Sequence, residues 1–123
     1  MRYLEPTGNP ARAHLAALEK ELLMPNGLLL RYAHRDDLGL PKVCFLACSF
    51  WYAEALACVG RIDDACKTLE QAMQCSNHLG LFSEDADFSY GQWGNFPQTY
   101  SHVGFMNAVY RIANKRELPI FLE

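Results

Sequence analysis

The sequence lacks an excess of positive charge and any long hydrophobic run, and both absences narrow its range of partners. Over 123 residues the formal net charge is −3 and the pI is about 5.8, so the basic surface typical of nucleic-acid-binding domains is missing. No apolar run approaches the ~18 residues of a membrane span. The first ten residues, MRYLEPTGNP, contain no apolar stretch of the kind found in signal peptides. We therefore expect no nucleic-acid partner and no membrane association.

Motifs of metal and serine-nucleophile chemistry are also missing. The four histidines are scattered, and the pair Cys44 and Cys48 has no second ligand pair, so we expect no metal site and no cofactor. No G-x-S-x-G motif is present. The odd number of cysteines, all on helix-forming segments, predicts buried thiols in a reducing compartment and hence a cytoplasmic protein.

The composition and the hydrophobic spacing predict one all-α domain. Half of the residues (50%) are hydrophobic, which is enough for a buried core. The periodicity predicts four main helices, over residues 9–24 and 44–59, from Asp63 onward, and over residues 99–115. The first helix should begin with Asn9 as its N-cap and Pro10 at the first helical position.

The order of the helices predicts antiparallel αα-hairpins. The second predicted helix is apolar almost all round, with Glu54 as its only charge, which is typical of a helix buried on most faces. The third is amphipathic, and the short link through Gly60 and Arg61 pairs it with the second. Outer and inner helices should then alternate, with a free-standing four-helix bundle as the alternative. Residues 28–32 are either a short extended segment or an irregular loop.

The most unusual stretch is residues 79–102, LGLFSEDADFSYGQWGNFPQTYSH, between the third and fourth predicted helices. Gly91, Gly94 and Pro97 oppose a regular helix there. Its aromatic residues supply burial that a disordered segment lacks. We interpret the stretch as a structured loop that carries a carboxylate to a functional site.

Three motifs in this order, CFLACSFWYAEALACVGRIDDA, LGLFSEDAD and GNFPQTYSHVGFMNA, closely resemble the C-terminal end of glycoside hydrolase family 15. That family comprises glucoamylases, glucodextranases and related bacterial trehalases. GLLLRY and NPARAHLAALEKELL resemble its upstream segments, so the likeness covers roughly residues 5–113. The family fold is a double ring of helices, the (α/α)6 toroid. The resemblance implies that residues 1–123 are a single partial domain that holds the last helix pairs of the ring.

The resemblance also implies an inverting glycoside hydrolase that acts on an α-glucoside or oligosaccharide. Such hydrolysis needs a general acid and a general base. SEDAD occupies the place of the family's acidic motif, and Glu84 matches the catalytic general base. Asp85 departs from the second glutamate that is usual in bacterial relatives.

The family's general acid has no counterpart in this chain. In the family it lies on an earlier segment with a Trp-Glu motif, whereas Trp51 and Trp93 are followed here by Tyr52 and Gly94. Leaving-group protonation typically contributes ~10²–10⁴-fold to the rate. We therefore expect the chain to be inactive alone and to be a truncated product, one part of a split gene or an expressed fragment of a longer enzyme.

Two further residues are candidates for substrate binding. Arg31 matches a family arginine that contacts substrate hydroxyls, and its guanidinium can hold two oxygens in a fixed geometry. The alternative is a surface ion pair with Asp36 or Asp37. Trp93 can stack on a sugar face, although such aromatics more often pack a loop onto helices. We expect His102 to be a hydrogen-bonded packing residue.

Residues 44–59 and 99–113 are more apolar than a half-exposed pair of helices needs. Exposed patches of this kind mark interfaces. We therefore expect the chain to self-associate or to pair with the missing N-terminal part of the enzyme. A non-catalytic helical interaction module is the alternative function.

Overall fold

The computed structural model describes residues 8–116, which form four α-helices and a small sheet. The helices are α1 (Asn9–Leu22), α2 (Leu46–Cys58), α3 (Ile62–Met73) and α4 (Thr99–Lys115). The strands are β1 (Val43–Phe45), β2 (Asp85–Asp87) and β3 (Gln92–Trp93). The mainly helical prediction is confirmed, and the sheet is an addition that the periodicity did not predict. The segment after α4, where we expect Pro119 to prevent further helix, lies outside the described residues.

The helix ends follow local backbone chemistry. α4 has the bounds that the sequence predicts. In α1, Gly8 occupies the N-cap position with a φ of 89°, and no side chain caps the helix. This φ suits glycine, which has no Cβ. The predicted role of Asn9 as N-cap is therefore wrong, although Pro10 still lies in the first turn, where its missing N–H costs nothing.

The predicted start of the second helix at Cys44 is also wrong. Residues 43–45 are extended and pair antiparallel with β2, and Cys44 lies opposite Ala86. Backbone partners from a distant segment outweigh the local helical preference here. α2 begins only at Leu46, whose N–H donates to the carbonyl oxygen of Glu84 at 3.1 Å.

Of the four helices, α2 is the most buried, which confirms the prediction from its apolar sequence. It packs against both α3 and α4. Phe50 is fully buried, and its ring meets those of Phe82 and Phe105 edge-on, with centroid distances of 5.1 and 5.7 Å. α4 comes closest at Gly104, where an added Cβ would lie 3.2 Å from the Cβ of Phe50. Although α2 is apolar, no helix in the described part of the chain is long and apolar enough to cross a membrane.

α3 is amphipathic, as predicted. Its buried residues form one stripe: Ala65, Thr68 and Ala72. Its first turn carries Asp63 and Asp64, whose negative charges suit a helix N-terminus. Arg61, in the link between α2 and α3, donates to Asp64 at 2.7 Å and also to Glu19 of α1. The link therefore ties α1 to the α2–α3 hairpin.

Residues 28–32 form an irregular segment rather than a strand, which decides between the two alternatives. Leu28, Leu29 and Leu30 are buried, and Leu29 forms an isolated bridge with Leu23. The N–H of Leu29 donates to the hydroxyl of Ser49 at 2.9 Å. Because buried N–H groups need partners, this bond fixes the segment on α2 and places Arg31 just beyond it.

Replacing Gly104 with leucine should destabilise the fold, because the new side chain would displace Phe50 from the centre of the core. Overpacking of this kind typically costs about 1–3 kcal/mol. We expect the free energy of unfolding, measured by urea denaturation with circular dichroism, to fall by that amount. Met106→Leu, on the exposed side of α4, is the matched control and should change stability by less than about 0.5 kcal/mol. Wild-type stability of the Gly104 variant would contradict the close contact of the two helices.

Candidate functional site

The loop between α3 and α4 is ordered by a β-hairpin. β2 lies between β1 and β3 in an antiparallel sheet, with Asp85 opposite Trp93. Asp87 holds the turn, because its Oδ1 accepts hydrogen bonds from the backbone N–H groups of Ser89 and Gly91. Its Oδ2 accepts a third bond from Nε1 of Trp93 at 2.9 Å. The prediction of a structured loop is confirmed, and its two short strands are the part that the sequence did not predict.

Glu84 lies directly before β2 and is fixed through both its backbone and its side chain. Its N–H donates to the carbonyl oxygen of Asn95 at 2.9 Å. Its Oε2 accepts hydrogen bonds from the backbone N–H of Asn95 at 3.2 Å and from Nδ2 of the same residue at 2.8 Å. Asn95 thus makes two hydrogen bonds to the Glu84 carboxylate and one to its backbone.

The segment before β2 is held by residues at the start of α4. The N–H of Phe82 donates to Nε2 of His102 at 3.0 Å, and its carbonyl oxygen accepts a bond from the N–H of Gln98 at 2.9 Å. The hydroxyl of Ser101 donates to the carbonyl oxygen of Ser83 at 2.8 Å. The His102 ring also packs against that of Phe82, so its predicted role as a hydrogen-bonded packing residue is confirmed.

Glu84 and Arg31 line the same open cleft, which has a volume of about 330 Å³. The guanidinium of Arg31 lies over the Phe45 ring, 5.4 Å from its centroid, and this contact orients the cation. Residues 36–43 supply much of the remaining lining of the cleft. The structure therefore brings the predicted general base and the predicted substrate-binding arginine together from segments far apart in the sequence.

The surface ion pair considered for Arg31 is not formed. Among the described residues, no ion pair joins Arg31 to Asp36 or Asp37. Asp36 instead accepts hydrogen bonds from the hydroxyl of Tyr32 at 2.5 Å and from the N–H of Leu38 at 2.9 Å. Arg31 is exposed and lines the cleft, so a polar ligand can reach its guanidinium.

Asp85 contributes a second, half-buried carboxyl to this cleft. Burial and the neighbouring charge of Glu84 raise the pKa of Asp85, and the positive charge of Arg31 opposes that rise. A Cβ built on Gly94 would lie 3.0 Å from Oε2 of Glu84 and 3.2 Å from Oδ2 of Asp85. Glycine at position 94 therefore leaves room for both carboxyl groups.

Trp93 does not line this cleft. Its side chain is 58% exposed and is held by its bond to Asp87. Tyr90 is half-buried and donates from its hydroxyl to the carbonyl oxygen of Asn26 at 2.8 Å, so it packs the loop onto the body of the protein. Phe96 is exposed. A stacking role for Trp93 stays a prediction.

Sequence reasoning missed two residues that position the candidate site. Asn95 holds the Glu84 carboxylate, and Phe45 lies beneath Arg31. Asn95 belongs to the GNFPQTYSH motif. The motif therefore marked the segment as important but did not indicate what Asn95 does. The sequence predicts Phe45 near the start of a helix, whereas the structure places it on β1 beside the cleft.

The rest of the described chain adds no metal-type or thiolate chemistry to the site. No cluster of three or more metal-binding side chains occurs within residues 8–116. Burial raises the pKa of Cys44 and of Cys75 to about 12, so both thiols stay protonated near neutral pH and are poor nucleophiles. The predicted burial is confirmed for Cys44, Cys58 and Cys75, whereas Cys48 and Cys66 are half-buried. The charged groups that line the cleft are the carboxyl groups of Glu84, Asp85 and Asp36 and the cationic groups of Arg31 and Lys42.

Comparison with known proteins found relatives that are all named as trehalases. The chain is 41% identical over 104 residues to a trehalase from Thermoplasma volcanium and 40% identical over 101 residues to one from Thermoplasma acidophilum. It is 33% identical over 120 residues to a trehalase from Mycobacterium tuberculosis. The chain is similar to trehalases. These matches cover 84%, 81% and 94% of the chain but only 16%, 17% and 18% of the relatives, so the chain spans about a sixth of their length.

The trehalase relatives confirm the coarser part of the resemblance that the motifs indicate. No family model matches the chain, and no solved structure matches it. Membership of glycoside hydrolase family 15, the ring of helices and the cytoplasmic location stay predictions.

The contact between Trp93 and Asp87 should give this loop a pH-sensitive fluorescence signal. Hydrogen bonds from the Trp93 indole and from the N–H groups of Gly91 and Ser89 lower the pKa of Asp87 below its ordinary value of 3.8. The stability that the ionised carboxylate contributes is present above that value and is lost as the pH falls through the lower folded-state pKa. In a Trp51→Phe background, we expect the midpoint of the change in Trp93 emission to lie below pH 3.8. The same change in Asp87→Asn would contradict this assignment.

Proposed function

We propose that the chain supplies the general-base side of the active site of a trehalase-like enzyme that hydrolyses α-glucosides with inversion. The observation that carries the proposal is the cleft that Glu84 and Arg31 share. The similarity to trehalases supports the substrate class. In this proposal Glu84 is the general base, and Arg31 binds hydroxyl groups of the sugar.

The geometry of Glu84 suits the task of a general base. Oε2 is occupied by the two N–H groups of Asn95, which leaves Oε1 to accept a proton from water. That water forms a bond to the anomeric carbon as the glycosidic C–O bond breaks, and the leaving oxygen takes a proton from the general acid. Arg31 can donate to two sugar oxygens in a fixed geometry, which holds the anomeric carbon opposite the water.

Asp85 does not meet the requirement for the general acid, although its raised pKa favours the protonated form. The two carboxyl groups of an inverting pair stand roughly 6.5–9.5 Å apart, with water and sugar between them. Oε2 of Glu84 and Oδ2 of Asp85 lie 3.0 and 3.2 Å from one point, the position of a Cβ on Gly94, so they are closer than that. In this proposal the acid comes from residues outside this chain, as the missing Trp-Glu motif of the resembled family implies.

The isolated chain should release no glucose from trehalose, maltose or dextrins, because it lacks leaving-group protonation worth ~10²–10⁴-fold. A coupled assay for free glucose, with heat-denatured chain as the blank, tests this expectation. Turnover above the blank that disappears in Glu84→Gln would contradict the proposed inactivity of the chain alone.

The role of Glu84 can be tested in a chimera. The matching segment of the Thermoplasma volcanium trehalase, 41% identical over 104 residues, is replaced with the corresponding residues of this chain. We expect the chimera to hydrolyse trehalose and Glu84→Gln to lower kcat by at least ~10²-fold, because the amide cannot accept the proton of water. Glu70→Gln, an exposed position on α3, is the control and should retain full activity. An active Glu84→Gln chimera would contradict the assignment.

The same chimera reports whether the reaction inverts. Hydrolysis of α,α-trehalose by inversion yields one β-glucose, from the attacked ring, and one α-glucose, from the leaving group. Retention yields two α-glucose molecules. Proton NMR within the first minutes, before mutarotation, should show equal amounts of the two anomers. An initial product that is all α-glucose would exclude a base-activated inverting mechanism.

A second candidate function, a non-catalytic interaction module, is favoured by the outer face of α4. This face carries exposed apolar side chains, namely Val103, Met106, Val109 and Tyr110. Exposed apolar patches on soluble domains mark interaction sites. In the enzyme the face would contact the rest of the catalytic domain, and in the isolated chain it would contact a second copy.

Sedimentation equilibrium of the isolated chain tests this face. We expect association of the wild-type chain, and a shift toward monomer in Met106→Glu, because a carboxylate cannot be buried at an apolar contact without a large desolvation cost. Gln74→Glu, an exposed position at the end of α3, adds the same charge elsewhere and should leave association unchanged. A wild-type chain that is monomeric at high concentration would contradict the expectation.

A further inference from the structure

We infer that Asn95 is the positioning residue that sets the orientation of the Glu84 carboxylate, an inference that rests on the proposed role of Glu84 as the base. Two N–H groups of one residue converge on one carboxylate oxygen: the backbone N–H at 3.2 Å and Nδ2 at 2.8 Å. Within residues 8–116, Oε1 accepts no hydrogen bond. The clamp therefore fixes one oxygen and leaves the other available to accept a proton.

The backbone around Asn95 is shaped for this contact. Gly94 has a φ of +76°, and a Cβ there would lie 3.0 Å from Oε2 of Glu84. A side chain at position 94 would thus push the carboxylate away from the donors of Asn95. The carbonyl oxygen of Asn95 also accepts the N–H of Glu84 at 2.9 Å, so the two residues form a closed, mutually bonded pair.

The pair is in turn anchored to the start of α4. Two residues of the same motif, Gln98 and Ser101, bond the carbonyl oxygens of Phe82 and Ser83 at 2.9 and 2.8 Å. The donors of Asn95 therefore belong to a segment that α4 holds in place. Donors on such a support orient a carboxylate better than donors on an untethered loop, because less motion remains at the contact.

Orientation matters for a general base because the proton-accepting oxygen must lie about 2.6–3.2 Å from its water. Misplacement by 1 Å can lower a rate by roughly 10²-fold. The charge of the donor matters as well: an amide N–H attracts the carboxylate, whereas a carboxylate at position 95 would repel it. Asn95→Asp preserves the shape and reverses the interaction, so it separates an electrostatic clamp from a residue that merely fills space.

The chimera described above provides the kinetic test. We expect Asn95→Ala to lower kcat by about 10–100-fold with KM changed by less than about twofold, because the sugar-binding groups remain. Asn95→Asp should be slower still. A merely structural role predicts the opposite order, with the isosteric Asp variant more active than Ala. Asn114→Ala, an exposed position near the end of α4, is the control and should retain wild-type kinetics.

Two kinetic outcomes would overturn the inference while leaving the proposed function intact. In the first outcome, Glu84→Gln inactivates the chimera, but Asn95→Ala and Asn95→Asp both keep the wild-type kcat. The other is an Asp variant faster than the Ala variant. A chimera whose activity does not depend on Glu84 counts instead against the proposed function, and the clamp is then decided by a measurement that needs no catalysis.

That measurement is NMR of the isolated chain, which compares the side-chain amide resonances of Asn95 in the wild-type chain and in Glu84→Gln. We expect these resonances to shift in Glu84→Gln, because the carboxylate that accepts the Nδ2 hydrogen bond is replaced by a neutral amide. The other charged side chains that line the cleft are Arg31, Asp36, Lys42 and Asp85. Asp85→Asn removes the neighbouring carboxylate instead, serves as the control and should shift them less. Asn95 amide resonances that are identical in wild type and in Glu84→Gln would overturn the clamp.

Discussion

The interaction on which the rest of the site depends is the hydrogen-bonded contact between residues 82–84 and 95–102. Phe82 is bonded at both its N–H and its carbonyl oxygen by residues that precede or open α4. Ser83 and Glu84 are bonded to the same segment. Because buried peptide groups have lost water and need partners, this stretch cannot shift without breaking several bonds together. The position of the Glu84 carboxylate is therefore set by residues 95–102, which lead into α4.

α2 connects this contact to the hydrophobic core. Its first N–H, from Leu46, is donated to the carbonyl oxygen of Glu84. One turn later Phe50 packs against the ring of Phe82 and against the backbone of α4 at Gly104. Close packing transmits small displacements, so a change in the core at Phe50 would reach the residues that flank the carboxylate. The core around Phe50 and the candidate site at Glu84 are therefore packed against each other through α2.

The cleft combines the groups that the proposed hydrolysis needs on its general-base side. A carboxylate held by neutral donors faces the same space as a guanidinium supported by an aromatic ring. The second carboxyl, Asp85, lies too near the first for a water and a sugar to fit between them. This arrangement agrees with the proposal that the opposing acid belongs to other parts of a trehalase-like enzyme. The chain spans about a sixth of the length of the trehalases to which it is similar.

The sequence by itself determined the helices. Apolar spacing and turn residues act over a few positions, so α3 and α4 could be predicted closely and α2 was recognised as buried. The motifs also indicated a likeness to a glycoside hydrolase family that includes bacterial trehalases and, through that likeness, Glu84 and Arg31 as candidate site residues. Their spacing gave no indication that the two side chains share a cleft.

Only the tertiary structure decided the strands, the cleft and the clamp. Cys44 pairs with Ala86, and Glu84 with Asn95, across long stretches of chain. These partners meet only after α2 and α4 have packed around Phe50. Local sequence preference cannot encode such a meeting, because the hydrogen-bonding groups that stabilise each strand and side chain are supplied by residues distant in sequence.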